Sequence, residues 1–115
     1  MSRDKRFSGV IEPVVVASRL DAVYDYVPSF TVANATDDYD LLTQQATAFN
    51  HVKRAWFALI YTDQDITIKF NDEANPAINV NAIDAPMEFR DILAITNIYI
   101  SNASGSTANV KIMLV

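Results

Sequence analysis

The residue types that most often carry out chemistry are sparse in this chain. His51 is the single histidine, and it stands just before a long apolar run. A catalytic triad would need His51 beside a nucleophilic Ser or Thr and a carboxylate, but the sequence has no Gly-x-Ser-x-Gly motif in a strand-elbow-helix context. Most catalytic zinc sites need two histidines with a carboxylate, and a single histidine cannot supply them. His51 is therefore predicted to be a surface or packing residue.

The glycine and cysteine counts exclude further classes of site. Gly9 and Gly105 are the only glycines, which is too few for a Walker or dinucleotide-binding loop. The chain has no cysteine, so disulfides, thiolate metal sites and cysteine nucleophiles are excluded. We therefore expect a protein that is not an enzyme and that has no cofactor.

Short acidic residues crowd three predicted turns. They are Asp37, Asp38 and Asp40, then Asp63 and Asp65, then Asp72 and Glu73. Closely spaced carboxylates could bind Ca²⁺ at millimolar affinity, as in loops of extracellular β-modules, and any two could form a glycosidase pair. Without the glycine and alternation of an EF-hand loop, the favoured interpretation is that these residues make turns and keep the loops soluble. No metal site is predicted.

Aromatic residues are the remaining candidates for binding. They are Tyr24, Tyr26, Phe30, Tyr39, Trp56, Tyr61 and Tyr99. Exposed Tyr and Trp rings can pack on the C–H groups of a sugar while amides and carboxylates bind its hydroxyls. The apolar strand around Trp56 favours a core position for that residue, whereas Tyr24 and Tyr26 have a less buried pattern. Tyr24, Tyr26, Trp56 and Tyr61 are the candidate ligand or subunit contacts.

The length and the net charge of the chain limit the classes of function that it can have. The chain has 115 residues, half of them hydrophobic, which suits one folded domain. Its net charge of -5 and its scattered basic residues argue against nucleic-acid binding. No apolar run reaches the roughly 18 residues that span a bilayer, and the N-terminus has no signal-peptide pattern. We expect a soluble protein made in the cytoplasm, with no membrane partner.

Residues 1–20 are predicted to form an N-terminal tail or arm, and residues 21–115 the folded domain. The run Val10–Ala17 is rich in β-branched residues but contains Pro13, which cannot donate to a central ladder. This run is therefore expected to be an edge strand or an extended arm. Its candidate assembly contacts are Phe7, Val10, Ile11, Val14 and Val16.

The segment between Tyr39 and Ala55 permits two interpretations. Residues at helical spacing favour a short helix, and they are Leu42, Ala46, Phe49, Lys53 and Trp56. Two short strands, Tyr39–Thr43 and Ala46–Asn50, are preferred because the sequence that follows is strongly β.

Two β-hairpins are predicted from alternating apolar runs. The first joins Val52–Tyr61, whose centre is apolar on both faces and should lie centrally, to Asp65–Phe70. The second joins Leu93–Ile100 to Ala108–Val115 through a Ser/Asn/Gly loop. Since the second run is apolar to its end, Val110–Val115 is expected to be an internal or interface strand.

The pattern of the whole chain predicts its fold class. Short strands follow one another at regular spacing, separated by Asn, Asp and Pro turns, with no convincing helix. This pattern predicts an all-β fold, an antiparallel β-sandwich or jelly roll of about eight short strands with an extended N-terminal arm.

The last two-thirds of the chain carry a family resemblance. The segments are Ala48–Arg54, Tyr61–Asn71, Met87–Asp91, Thr96–Ile100 and Ser104–Ile112. These segments give a strand, an Asn/Thr/Asp turn, and a strand of the type Asp-Ile-Thr-Ile-x-Phe-Asn. A variable loop follows, and then a C-terminal hairpin that contains Tyr-Ile, Gly-Ser and Val-x-Ile in that order. This succession resembles small β-sandwich virion structural proteins of tailed bacteriophages.

The resemblance implies a non-enzymatic virion component of the decoration, collar or tail-associated type. It would be made in the host cytoplasm, occur in many symmetric copies in the virion, and dock on capsid or tail proteins. Its partners would be copies of itself, with a trimer as the expected state, and other virion proteins, engaged through edge strands and the N-terminal arm. The rival hypothesis is a tip module of a virion or cell-surface protein that binds a host glycan or receptor, and a small hydrolase is the third.

Overall fold

The computed structural model describes residues 23–115, except for the side chains of residues 91–93. The predicted arm at residues 1–20, with its candidate contacts Phe7, Val10, Ile11, Val14 and Val16, lies outside the described residues. The described chain forms strands β1 Asp25–Val32, β2 Thr36–Asp40, β3 Ala55–Thr62, β4 Ile66–Phe70, β5 Ile78–Val80, β6 Met87–Ile95, β7 Ile98–Asn102 and β8 Ala108–Leu114. One α-helical turn, α1 Leu41–Gln44, and one 3₁₀ turn, Ala82–Asp84, complete the elements.

The eight described strands form two antiparallel four-stranded sheets. Sheet 1 has the order β1-β8-β3-β6, and sheet 2 has the order β2-β7-β4-β5. Strand β1 pairs with β8, β2 with β7, β3 with β6 and β4 with β5, as in a long hairpin that has been rolled up. The pairs β3·β8 and β4·β7 join the turns of the roll. This is the strand order of a jelly roll, and it confirms the predicted all-β sandwich.

The core lies between the two sheets and follows from the alternation of the strands. In sheet 1, Val27, Ile112 and Ile60 stand in one row across three strands and are at most 1 % exposed. In sheet 2, Ile100 and Ile68 are paired and fully buried. Burial of each such side chain contributes about 1.5–3 kcal/mol, so these rows fix which side of each strand faces inward.

Both predicted hairpins are wrong, although the strands themselves are present. Strand β3 lies in sheet 1 and β4 in sheet 2, and β7 and β8 are likewise divided between the sheets. The runs that follow one another in sequence therefore cross the core instead of pairing. The predicted central position of the first run is confirmed, because β3 pairs with β8 on one side and β6 on the other. The internal position of Val110–Val115 is confirmed for β8, which lies between β1 and β3.

The two short strands preferred at Tyr39–Thr43 and Ala46–Asn50 are also wrong. Strand β2 ends at Asp40, which caps the single helical turn α1 by accepting the Thr43 N–H at 3.2 Å. Leu41 is completely buried beneath this turn, so the turn is held by one apolar anchor and one cap. No strand forms between residues 46 and 50 of the described chain.

Pro28 is accommodated because β1 is the outermost described strand of sheet 1. The pairing of β1 with β8 shifts register between Val27 and Phe30, so Pro28 lies in a β-bulge. A proline cannot donate to the ladder, and an edge strand with a bulge is where the missing donor costs least.

Candidate functional site

The outer surface of sheet 1 is apolar and aromatic. Tyr26, Met113 and Leu59 stand in one row across β1, β8 and β3, and Tyr61 pairs with Lys111 in an adjacent row. We call this surface the aromatic face, and it consists of Tyr26, Trp56, Phe57, Leu59, Tyr61 and Met113. Tyr26 is 47 % exposed and Trp56 58 % exposed. An outward surface of this composition is of the kind that interaction sites have, and it is the first candidate for a binding surface.

Two cations lie over rings of the aromatic face. The Nζ of Lys111 is 5.0 Å from the centre of the Tyr61 ring, and the guanidinium of Arg90 is 5.5 Å from that of Phe57. Both distances are within the range of cation–π attraction. Each cation therefore places a charged group beside the apolar side chains of this face.

The outer surface of sheet 2 has the opposite character. Ser101, Thr67 and Asn79 form a row across β7, β4 and β5, at the positions where sheet 1 carries apolar side chains. In the next row Lys69 pairs with Tyr99 and donates to Asp38 at 3.1 Å. The outer surfaces of the two sheets therefore differ in polarity. Among the described strands, only those of sheet 1 carry large exposed hydrophobic side chains.

Trp56 is not in the core, contrary to prediction. The N–H groups of Trp56 and Phe57 both donate to the Val115 carbonyl, at 2.8 and 3.1 Å, and the register of β3 against β6 shifts at this point. This bulge turns two consecutive side chains, Trp56 and Phe57, toward the outside, whereas Ala55 and Ala58 on either side remain completely buried. A period-two pattern cannot reveal such an extra residue, which is why the sequence suggested a core position.

The structure brings the predicted contact residues together only in part. Tyr26 and Tyr61 line one groove of about 210 Å³ with Met113 and Pro86. Tyr24 and Tyr26 line a second cavity, described below, and Tyr24 is 59 % exposed. Trp56 lies on the same sheet but lines neither cavity. The exposed position predicted for Tyr24 and Tyr26 is confirmed.

The other aromatic candidates, Phe30, Tyr39 and Tyr99, lie outside the aromatic face. Phe30 is buried, and its ring stacks on that of Tyr39 across the two sheets, with the ring centres 5.6 Å apart. The Tyr39 hydroxyl accepts a hydrogen bond from Gln45 Nε2 at 2.9 Å. Tyr99 is half-buried on sheet 2. The stacked rings of Phe30 and Tyr39 therefore contribute to the packing between the sheets.

A buried carboxylate organises the second cavity. Asp25 is 4 % exposed and accepts hydrogen bonds from the N–H groups of Val52, at 2.8 Å, and of His51, at 2.9 Å. The Nδ1 of His51 is 2.9 Å from Asp25 Oδ1, and the imidazole is largely exposed. Burial raises the pKa of Asp25, but the hydrogen bonds from Val52 and His51 outweigh it, so the pKa is below its ordinary value.

The cavity beside this pair is about 290 Å³ in volume. It is lined by Tyr24, Tyr26, Thr47, Asn50 and His51, with Asp25 at its base. We call it the His51 cavity. The His51 cavity could not be predicted from the sequence, because Asp25 and His51 are 26 positions apart and no short motif joins them.

Several acidic residues of the predicted turns make hydrogen bonds within the fold. Asp63 accepts both the backbone N–H and the side-chain amide of Asn109, at 2.7 and 2.8 Å. The carboxylate of Asp65 accepts the Ala82 N–H, and that of Asp72 accepts the Ala74 N–H, both at 2.8 Å. No group of three or more potential metal ligands occurs within the described residues.

The comparisons identify no relative. No family model matches the chain, and neither the curated proteins nor the solved structures contain a significant match. Among the described residues there is also no helix long and apolar enough to cross a bilayer.

Proposed function

We propose that this chain is a non-enzymatic structural component of a bacteriophage virion that assembles as a homo-oligomer, with a trimer as the expected state. The observation that carries the proposal is the aromatic face, which occupies one sheet of a jelly roll while the other sheet is polar. The jelly roll is a common fold of viral capsid domains, which supports a virion role by analogy. The resemblance of the chain to small virion proteins of tailed phages adds to it.

The composition of the aromatic face fits a subunit interface. Interfaces are enriched in Tyr, Trp, Phe, Met and Arg, and are poor in Asp, Glu and Lys at their centres. The apolar part of the central row, Tyr26, Met113 and Leu59, ends at Glu88, which pairs with Leu59 from β6, and Arg90 and Lys111 lie in other rows. Burial of Tyr26, Met113 and Leu59 against another copy or a capsid or tail protein would remove apolar area from water while Glu88, at the end of the row, stays at the rim of the contact.

The N-terminal arm would add a second contact. It joins the described chain directly before β1, which is the outermost described strand of sheet 1. An arm that pairs with this strand in a neighbouring copy would cover, by strand addition, the outer edge of β1 that no other described strand pairs with. Phe7, Val10, Ile11, Val14 and Val16 are the residues proposed to make this contact.

A pair of matched variants tests the assembly. Leu59→Glu places a charge at the centre of the aromatic face, and Thr67→Glu places the same charge at a half-buried outward position of the other sheet. Sedimentation velocity should show that Leu59→Glu dissociates the oligomer while Thr67→Glu does not. A wild-type protein that remains monomeric at high concentration would refute the assembly, and dissociation by both variants would refute the role of the aromatic face.

Two further measurements test the arm and the location. Deletion of residues 1–20 should weaken association of the purified protein, and unchanged association would remove the arm from the proposal. Mass spectrometry of purified particles made from the genome that encodes the chain should detect it in many copies. A particle without the chain would refute the virion location.

A second candidate function is a carbohydrate- or receptor-binding tip module, with a host glycan as partner. The observation that favours it is the His51 cavity, where two exposed tyrosines meet an amide, a hydroxyl and an imidazole. Jelly rolls also form lectin domains, so the fold accommodates either function. Tyr24 and Tyr26 would be its contacts, whereas Trp56 and Tyr61 lie outside this cavity. Binding of the purified protein to a glycan array tests it, and no signal above background would count against it.

A further inference from the structure

We infer that the His51 cavity is a binding site for a neutral ligand with several hydroxyl groups, of the carbohydrate class, and that His51 is its central hydrogen-bond acceptor. The inference deepens the second candidate function and does not depend on the assembly proposed for the aromatic face. It rests on the tautomer of His51, on the strained residue beside it and on the composition of the cavity wall.

The hydrogen bond to Asp25 fixes the tautomer of the neutral His51 ring. The carboxylate of Asp25 is an acceptor only, so the Nδ1 atom that lies 2.9 Å from it must carry the proton. The lone pair is then on Nε2, at the opposite side of the ring. Since the imidazole is exposed while Asp25 is buried, Nε2 is presented to solvent as a fixed acceptor for a hydroxyl group.

The backbone beside His51 is held in a strained conformation. Phe49 has a φ of 55°, in the left-handed region that bulky side chains rarely adopt, and its side chain is only 2 % exposed. The buried ring anchors one side of Asn50 and His51, and the two N–H bonds to Asp25 anchor the other. Residues kept in such conformations cluster at ligand-binding sites, because the strain buys a fixed placement of the neighbouring side chains.

The wall of the cavity combines apolar rings with hydroxyl-binding groups. Tyr24 and Tyr26 supply aromatic surface for C–H groups, while Thr47 and Asn50 supply a hydroxyl and an amide beside His51. A volume of about 290 Å³ is near the lower limit of ligand pockets, roughly 300 Å³, and suits one or two sugar rings. No Lys or Arg among residues 23–115 lines the cavity, which favours a neutral ligand over a phosphorylated or carboxylated one.

The test uses the full chain and three probes, the methyl glycosides of glucose, galactose and N-acetylglucosamine. In ¹H–¹⁵N spectra at least one glycoside should shift the amide signals of Asn50 and His51. His51→Ala removes the acceptor and should raise the Kd of that glycoside about tenfold. Tyr24→Ala should also weaken binding, whereas Asn79→Ala and Tyr99→Ala, on the other sheet, should leave it unchanged. The imidazole and Tyr24 are exposed, so both cavity variants should fold, and circular dichroism checks this.

Three results would overturn the inference. They are no shift with any glycoside, shifts that map to sheet 2, or a Kd of the glycoside that is unchanged in His51→Ala. Sedimentation of the same samples separates the two proposals. An oligomer that binds no glycoside refutes this site alone, and a monomer that binds a glycoside refutes the assembly alone.

Discussion

Asp25 and Val52 are 27 positions apart, yet the carboxylate of Asp25 accepts the buried N–H of Val52 at 2.8 Å. The same carboxylate accepts the N–H and faces the Nδ1 of His51, so one side chain fastens the start of β1 to the connection that leads into β3. These hydrogen bonds stabilise the buried carboxylate of Asp25. They also provide an acceptor for the backbone N–H groups of His51 and Val52, which lie in an irregular segment. This contact joins β1, the first described strand, to the residues that line the His51 cavity.

Asp25→Ala should lower the free energy of unfolding by about 1–3 kcal/mol, the cost of leaving a buried donor such as the Val52 N–H unpaired. Denaturant unfolding measures this loss. His51→Ala is the matched comparison, because it removes only an exposed imidazole and should cost well under 1 kcal/mol. Equal losses in both variants would show that the imidazole, and not the backbone bonds, holds the connection.

Acid should destabilise the protein through three carboxylates. The Asn97 amide lowers the pKa of Asp40, the Asn109 side chain and N–H lower that of Asp63, and hydrogen bonds that outweigh burial lower that of Asp25. An aspartate has a pKa of about 3.9 when unfolded, so their contribution is present above about pH 4. It is lost as the pH falls through the lower, folded pKa values.

Unfolding measured from neutral pH down to about pH 2 checks this sign. Asp63→Asn should flatten the acid limb of the curve, because Asp63 then no longer changes charge. Asn79→Ala, at an exposed position of sheet 2 without a titratable group, is the control and should leave the limb as it is. Stability that rises toward low pH would contradict the prediction.

The strands could be predicted from the sequence, but their partners could not. The alternation in Ile66–Phe70 and in Ala108–Leu114 shows that each segment has one buried side. It does not show whether consecutive strands pair or cross the core, because an arch and a hairpin bury the same side chains. The arches are specified by isolated polar side chains. Asn102, for example, donates to both Val32 and Ser106, and no local pattern reveals those contacts.

The surface was harder to predict than the core for a related reason. In the β-bulge at Trp56 and Phe57, both N–H groups donate to the Val115 carbonyl, and the extra residue reverses the direction that alternation assigns to Trp56. A short helix is one of the two interpretations of the segment that contains α1, but strands are preferred because the following sequence is strongly β, although Asp40 followed by Thr43 is a recognisable cap. The Asp25–His51 pair depends on tertiary contact alone.

Asn102→Ala should lower the free energy of unfolding by about 1–3 kcal/mol. Asn102 is 1 % exposed, donates to the Val32 carbonyl at 2.9 Å and to that of Ser106 at 2.8 Å, and accepts the Ser104 N–H at 3.0 Å. The substitution leaves the buried Val32 carbonyl without this donor. Thermal or denaturant unfolding measures the loss, and Asn79→Ala, exposed on sheet 2, should change stability by no more than about 0.5 kcal/mol. A neutral Asn102→Ala would show that water replaces the amide.

Removal of residues 111–115 should leave an insoluble protein or one that does not assemble. Strand β8 lies between β1 and β3, so the truncation exposes hydrogen-bonding edges on both neighbours and removes the fully buried Leu114. Solubility after expression, followed by circular dichroism, measures the outcome. Lys111→Ala within the full chain is the control and should remain soluble. A soluble and correctly assembled truncation would show that the core does not depend on β8.

Trp56 fluorescence should report the docking of the aromatic face. Trp56 is the single tryptophan and is 58 % exposed in one copy of the chain, so its emission should be red-shifted and readily quenched by acrylamide when the protein is dilute. Burial of the aromatic face in the oligomer would exclude water from the indole, and emission should shift to the blue and resist quenching as concentration rises. Leu59→Glu should abolish this change and Thr67→Glu should preserve it. If emission stays red-shifted at concentrations where sedimentation shows an oligomer, the subunits associate through another surface and Trp56 faces solvent in the assembly.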